Sequence, residues 1–346
     1  MDHLEKELSR KPPTLLYHYT SQRGLLGILK NNEIWATKIQ YLNDGSEFVY
    51  FIDLLKEWIG VDTGQSRVIE IKRHEEIKDG AVKKIVQLGL SEINSLNLVK
   101  YHERLNSLNS KLEDNKRNIS EGEFDLFFGN VIAFLTSFKN TTVFVCSFSE
   151  KGNLLSQWRA YCPPAGGFSV GFNSEKLKTI SDKFSLKPCV YCKNEQFEMI
   201  DNLVVSLAKN SCDLGQSLGQ RVKNGRLNLY KFMEMASIFK HPSFFEEQEW
   251  RLVSVVDPDK INFLCKQVDF REGESMIVPY FKIKLPEETE SLIKKVIVGP
   301  TPHKDLSIAS VKGLLTHKKI KIEAEMDDGN FKNKTVEWCG IPYQTW

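Results

Sequence analysis

The sequence predicts an α+β fold: one domain over residues 1–346, with a mixed or antiparallel sheet core and a large helical insertion at 46–139. Three observations predict it. Short aromatic and β-branched runs stand on both sides of the insertion. Segments of helical spacing alternate with them. Between them, from Ser46 to Lys139, the chain is long, charged and almost free of proline.

Leu15–Thr20 is aromatic and apolar and reads as a strand. Ser21 is a good N-cap for a helix over Gln22–Asn31, whose apolar side carries Leu25, Leu26, Ile28 and Leu29. Gly24 and Gly27 would let that helix approach a sheet closely. Glu33–Thr37 is a second strand, followed by a polar turn at Asn43-Asp44-Gly45. In the insertion, Phe48, Phe51, Ile52, Leu55 and Trp58 share an amphipathic face. Leu98, Leu105 and Leu112 recur every seven residues with Leu108 between them, as in a short helical hairpin or a partner-binding helix. Three heptad positions are too few to demand a partner, so packing within the chain is favoured.

Strands return at Thr141–Ser149, Phe168–Phe172 and Lys183–Cys192, with a helix over Asn153–Tyr161 and a turn at Pro163–Gly167. Glu195–Lys240 is largely helical. Strands near Glu247–Val256, Met276–Lys284, Lys294–Val298 and Lys319–Glu325 follow, with a helix over Lys304–Leu315.

Composition narrows the function. The 47 basic and 45 acidic residues leave a formal charge of +2, which gives no broad field for nucleic acid or an anionic membrane. Met1–Lys11 lacks the apolar core of a signal peptide. The most apolar stretch, Phe124–Phe138, is too short to span a bilayer. Seven cysteines, an odd number in a large chain, read as reduced thiols, and the expected location is the cytoplasm.

Four segments carry polar groups beyond what packing needs. On the first strand His18 and Thr20 point one way, and Tyr17 and Tyr19 the other. Asn43 and Glu47 exceed the needs of a turn and helix cap. Ser147 and Ser149 share a strand face, and the helix after them presents Ser156, Arg159 and Ala160 on one side. Trp158 and Tyr161 are spaced as an aromatic wall or as core. In Phe245–Val253 alternation places Glu247, Glu249 and Arg251 on one strand face, with Trp250 and Leu252 on the other. Paired carboxylates suit sugar chemistry, because a carboxylate can hold a ribose hydroxyl and stabilise positive charge at the anomeric carbon. His18, Ser147 and Ser156 offer hydrogen bonds to ribose or phosphate, and Trp158 or Tyr161 can stack a base or nicotinamide.

Other motifs are weaker. Cys189-Val-Tyr-Cys192 has no second pair at zinc-ribbon spacing, and it reads as part of a strand rather than as the start of a redox helix. Val298–His303 joins a strand to a helix and reads as a tight turn rather than a phosphate cradle. No Walker A, Rossmann or Gly-x-Ser-x-Gly signature is present.

Taken in order, Tyr17-His-Tyr-Thr20, Leu42-Asn-Asp44 with Glu47, Phe148-Ser-Glu150, Leu155-Ser-Gln-Trp-Arg-Ala-Tyr161, Gly167–Phe172, Glu247-Gln-Glu-Trp-Arg251, Ile297-Val-Gly-Pro300 and Ile341-Pro-Tyr343 resemble the bacterial family called domain of unknown function 2971. Two departures are the insertion between Glu47 and Val143, and Gln344 where a basic residue is usual. The pattern is in turn similar to ADP-ribosyltransferase-like folds. That resemblance implies that Glu249 is the catalytic glutamate with Glu247 two residues before it, that His18 contacts an NAD ribose, and that Ser147 or Ser149 is the middle-strand residue. Tyr19, Asn43, Ser156, Trp158, Tyr161 and Arg251 complete the set of candidate ligand-binding residues.

The expected function is therefore an NAD-dependent ADP-ribosyltransferase-like or NAD-hydrolysing effector, in a bacterial defence or toxin setting that the resemblance alone implies. NAD is its substrate, no metal is expected, and a protein or nucleic acid is its acceptor. The second expectation is a non-catalytic nucleotide sensor whose helical insertion docks a protein partner. The third is a metal-dependent nuclease toxin using His18, Asp44, Glu47 and Glu249.

Overall fold

In the computed structural model of the chain, Leu15–Thr20 forms β1, and Ser21 ends it by capping a helix. The Ser21 hydroxyl accepts from the Gly24 N–H at 3.2 Å, so α1 (Gln22–Asn31) starts where the sequence places it. A Cβ at Gly24 would collide with the Thr20 hydroxyl, which makes this glycine the point of close approach. Gly27 has open space around its Cα and plays no such part.

The structure describes residues 10–42, 46–60, 98–112, 118–120, 143–162, 166–211, 231–254, 267–273, 275–286, 289–327, 330–333 and 335–342. Asn43-Asp44-Gly45, most of the 46–139 insertion including Phe124–Phe138, Pro163–Ala165, Cys212, Cys265 and Tyr343 lie outside them.

β2 (Glu33–Lys38) and α2 (Ser46–Ile59) follow, then α3 (Leu98–Ser110) and β3 (Phe144–Ser149). Next come α4 (Leu155–Tyr161), β4 (Phe168–Asn173), α5 (Ser174–Lys178), β5 (Phe184–Pro188) and α6 (Lys193–Ser211). Helix α7 covers 231–238. After a 3-10 turn at Pro242–Glu247 come β6 (Glu249–Ser254), β7 (Val268–Glu272) and β8 (Ile277–Lys284). The described chain ends with α8 (Thr289–Leu292), β9 (Ile293–Val298), α9 (Lys304–His317), a hairpin of β10 (Ala324–Asp327) and β11 (Asn330–Asn333), and β12 (Val336–Trp338).

The main sheet runs β12-β9-β4-β1-β3-β2-β8-β7, with β6 also on β3 and β5 on β6. Its described pairs are antiparallel except β12 on β9. This α+β architecture with a mostly antiparallel sheet agrees with the sequence expectation. At β3 the sheet forks. Along one edge β6 pairs from Val145↔Val253 to Ser149↔Glu249. Along the other, β2 takes only Phe144 and Val145, and β1 meets β3 only at Tyr17↔Ser149. The backbone of residues 146–148 on that edge is left without a strand partner, and a cleft opens beside it.

The predicted strand over Glu247–Val256 starts later, and its last two residues lie outside the described residues. Pro242 sits at the first position of the 3-10 turn, the His241 ring accepts the Ser243 N–H, and Gln248 adopts a left-handed φ of 41°. The ladder therefore begins at Glu249 rather than at Phe245. Cys189 follows the end of β5, and Cys192 accepts the Gln196 N–H in the first turn of α6. This corrects the expectation that the Cys-x-x-Cys pair lies within a strand. Of the predicted Lys319–Glu325 strand only Ala324 and Glu325 lie in one, at the start of β10, while Lys319 takes a left-handed φ of 58° after α9.

Within the insertion the apolar faces turn inward. Phe51, Leu55 and Trp58 of α2 and Leu105, Leu108 and Leu112 of the heptad join Ile200, Phe232 and the sheet's Phe144, Phe148 and Leu252 in one core. Asp201 of α6 fastens these helices together: it accepts from Trp58 Nε1 (2.9 Å), Arg104 Nη1 (3.1 Å) and Lys111 Nζ (2.8 Å). Among the described residues no helix is long and apolar enough to cross a membrane.

Candidate functional site

The cleft at the fork holds about 50 Å³, or about 350 Å³ when the space open to solvent is counted. Tyr17, His18, Tyr19, Ser147, Phe148, Ser149, Gln157, Tyr161, Glu247 and Glu249 line it. Strands β1 and β3, helix α4 and the turn into β6 all contribute, which is why residues more than two hundred positions apart meet there.

His18 takes the place of the missing strand. Its Nδ1 lies 2.9 Å from the Ser147 carbonyl and 4.0 Å from Cys146 Sγ. A carbonyl only accepts, so Nδ1 carries the proton and Nε2 keeps a lone pair. Burial lowers the His18 pKa, and the bond to Ser147 opposes this only in part, so the ring is neutral. The Phe148 ring packs 5.7 Å away and fixes its orientation.

The two glutamates arrive already paired. Glu249 Oε1 accepts from Arg251 Nε at 2.8 Å, while Oε2 accepts from Lys240 Nζ at 2.7 Å and Arg251 Nη2 at 3.0 Å. Lys240 also bonds the Glu247 carboxylate, and Arg251 donates through Nη1 to the Ser237 carbonyl at 2.7 Å. Burial by itself would raise the Glu249 pKa; the charges of Arg251 and Lys240 outweigh it and hold the carboxyl well below the usual range. Two acids and two bases thus make a neutral, largely buried network. Every residue of β6 is buried; the end of α7 covers Arg251, while Glu249 beside it still borders the cleft.

Other expected residues separate into two groups. Ser147 and Tyr161 line the cleft with hydroxyls that make no hydrogen bond to the protein. Burial, with Glu249 nearby, raises the Tyr161 pKa, so its hydroxyl stays protonated. Ser149 lines the cleft but is used, donating to the Glu247 carbonyl (2.7 Å) and accepting from Lys151 N–H (3.0 Å). Tyr19 donates to the Lys151 carbonyl and accepts from Leu154 N–H, each at 2.8 Å. Trp158, 3% exposed, stands edge-on to Tyr19 and lies against Gly299, where a Cβ would come within 2.8 Å of its ring. It belongs to a small core with Ile297 and Cys339, and the expected Trp158–Tyr161 wall is not formed. Ser156 faces Glu246. Asn43 lies outside the described residues.

Two site residues were not foreseen. Lys240, 4% exposed, carries no local signal, since it sits at a helix exit before His241-Pro242. Gln157 is one helical turn before Tyr161, and that i, i+4 spacing is the signal that could have found it. Among the described residues no group of three or more His, Cys, Asp or Glu could hold a metal ion. Asp44 lies outside the described residues and the Glu47 side chain is not described.

A mostly antiparallel α+β protein with a neutral-lined cleft at a sheet fork is the class that this geometry defines. Residues 157–252, which run from the Gln157 of α4 to the Leu252 of β6, match the family model described as "Protein of unknown function (DUF2971)". That match supports the family resemblance over a narrower span than the ordered blocks from Tyr17 to Tyr343. No curated protein and no solved structure matches the chain.

Proposed function

We propose that the cleft receives the nicotinamide riboside end of NAD, and that the protein releases nicotinamide and passes ADP-ribose to a macromolecule or to water. The observation that carries this reading is the convergence of His18, Ser147, Tyr161, Glu247 and Glu249 on one cleft. Its volume without the open space is about 50 Å³, smaller than ordinary ligand sites, so only the tip of a dinucleotide enters it and the remainder lies across the mouth.

In this reading the bond between ribose C1′ and the pyridinium nitrogen breaks, and its electron pair leaves with neutral nicotinamide. The acceptor oxygen or nitrogen then bonds to C1′ and its proton goes to solvent. His18 Nε2 accepts from a ribose hydroxyl, and Ser147 donates to or accepts from a second. Each carboxylate oxygen has two acceptor sites, so Glu249 Oε1, which holds one bond from Arg251, has room for one more from the ribose. Glu249 supplies fixed negative charge where positive charge develops.

Lys240 and Arg251 weaken that charge. Their pairing with Glu249 favours the second reading, a nucleotide-binding sensor without turnover. NAD labelled in the nicotinamide ring separates the two. Release of labelled nicotinamide by the wild type, reduced about a hundredfold in Glu249→Gln, supports the enzyme. A heat-stability shift with NAD but no release supports the sensor. No NAD loss, no labelled product and a Glu249→Gln variant that behaves as wild type in cells would sink the transferase reading.

A further inference from the structure

Gln157 is a mostly buried polar residue of the cleft whose amide the fold leaves unused. Only 7% of it is exposed, it lines the cleft, and its carboxamide makes no hydrogen bond to the protein. Its amide atoms are not sealed in the interior but reach the cleft, so a ligand entering there meets an unused donor and an unused acceptor. On the same short helix Trp158 fills the core and bonds Asn153 Oδ1 through its indole N–H at 2.9 Å. Gln157 points with Tyr161, one turn on, to the ligand side instead.

We infer that Gln157 reads a primary carboxamide on the ligand, pairing N–H donor to carbonyl and carbonyl to N–H donor. This rests on the NAD reading above and assigns the nicotinamide amide to it. A carboxamide offers one donor and one acceptor side by side, as Gln157 does, so two bonds form in one plane. A carboxylate in its place has no donor for the Gln157 carbonyl. A site built to hydrogen-bond an amide therefore rejects the acid. The Tyr161 ring, 42% exposed and next to Gln157 on the helix face, offers a flat surface for the pyridine. Gln157 is a specificity residue in this account, and the bond-breaking step does not pass through it.

The test titrates nicotinamide, nicotinate, adenosine and NAD separately into the full-length wild type, Gln157→Met and Gln157→Glu, by calorimetry and by ligand-observed NMR. The wild type prefers nicotinamide to nicotinate about tenfold or more, and Gln157→Met brings that ratio close to one. Gln157→Glu keeps the shape and one acceptor, binds nicotinamide more weakly than the wild type and excludes nicotinate. It provides the second variant if the methionine protein folds poorly. If the wild type binds NAD and Gln157→Met keeps the preference for nicotinamide, the inference is overturned while the NAD reading stands. Loss of adenosine binding in place of nicotinamide binding overturns it too, because the pairing is then with a purine edge. If the wild type binds neither NAD nor nicotinamide, both the NAD reading and this inference fall.

Discussion

Replacing Lys240 with methionine removes the cation that links Glu247 to Glu249 and leaves a side chain of similar length. The ammonium lies 2.7 Å from Glu249 Oε2. At an effective dielectric of about 20, a unit pair at that distance attracts by about 6 kcal/mol. Desolvation of the ammonium offsets much of it. Removing one partner of a buried pair generally costs about 3–5 kcal/mol, since the other charge is left uncompensated. Here Arg251 still holds Glu249 through two bonds, which places the expected loss near the lower end, at about 3 kcal/mol. Urea unfolding at pH 7, followed by tryptophan fluorescence, measures it. The double variant Lys240→Met/Glu249→Gln should lose less than the sum of the single losses by about 1 kcal/mol or more, because the charges meet directly. A single-variant loss under about 0.5 kcal/mol, or strict additivity, would refute the claim that these charges act as one network.

Three further outcomes follow from the same contacts. The folded-state pKa of Glu249 is depressed, so its contribution to stability is complete above the ordinary value of 4.5 and drains as pH falls toward the lower folded value. Acid unfolding of Glu249→Gln should therefore show a shallower pH dependence below 4.5 than that of the wild type. Burial pushes the thiols of Cys146 and Cys162 up to about 12, and Cys189 is buried. Among the described cysteines, iodoacetamide at pH 8 should thus modify Cys192 first, which peptide mass spectrometry reads directly. Asp201→Ala removes the shared acceptor of Arg104, Lys111 and the Trp58 indole N–H; because Arg104 keeps the Trp58 carbonyl and both cations reach solvent, a loss of about 1–2 kcal/mol in urea unfolding is expected, and no measurable loss would show that the helices hold without it.

The strands that begin the sheet were legible because their chemistry is local. Ser21 after Thr20 marks both the end of β1 and the start of α1. The same is true of Phe168–Asn173, where small and apolar residues alternate and the register shifts only at Gly171/Phe172. Glu249 and Arg251 were placed on one face correctly, since a two-residue spacing survives any change in where the strand begins. What escaped was set by distance in the chain. Lys240 meets Glu249 because Val190 bridges Phe239 and holds the exit of α7 against β5 and β6, and nothing near Lys240 records that. Trp158 and Tyr161 satisfy the spacing of an aromatic wall, yet the ring edge of Tyr19 and the bare Cα of Gly299 draw Trp158 into a core of its own. The cleft itself comes from the uneven pairing of β3, with two residues on β2 and one on β1, a register that no local pattern encodes.

A crystal grown from the full chain and soaked with NAD tests the central claim most directly. The expected density is a ribose bonded to His18 Nε2 and to the Ser147 hydroxyl, with the nicotinamide amide on Gln157 and the ring beside Tyr161. An empty cleft at saturating NAD, or a dinucleotide bound elsewhere on the surface, would contradict it.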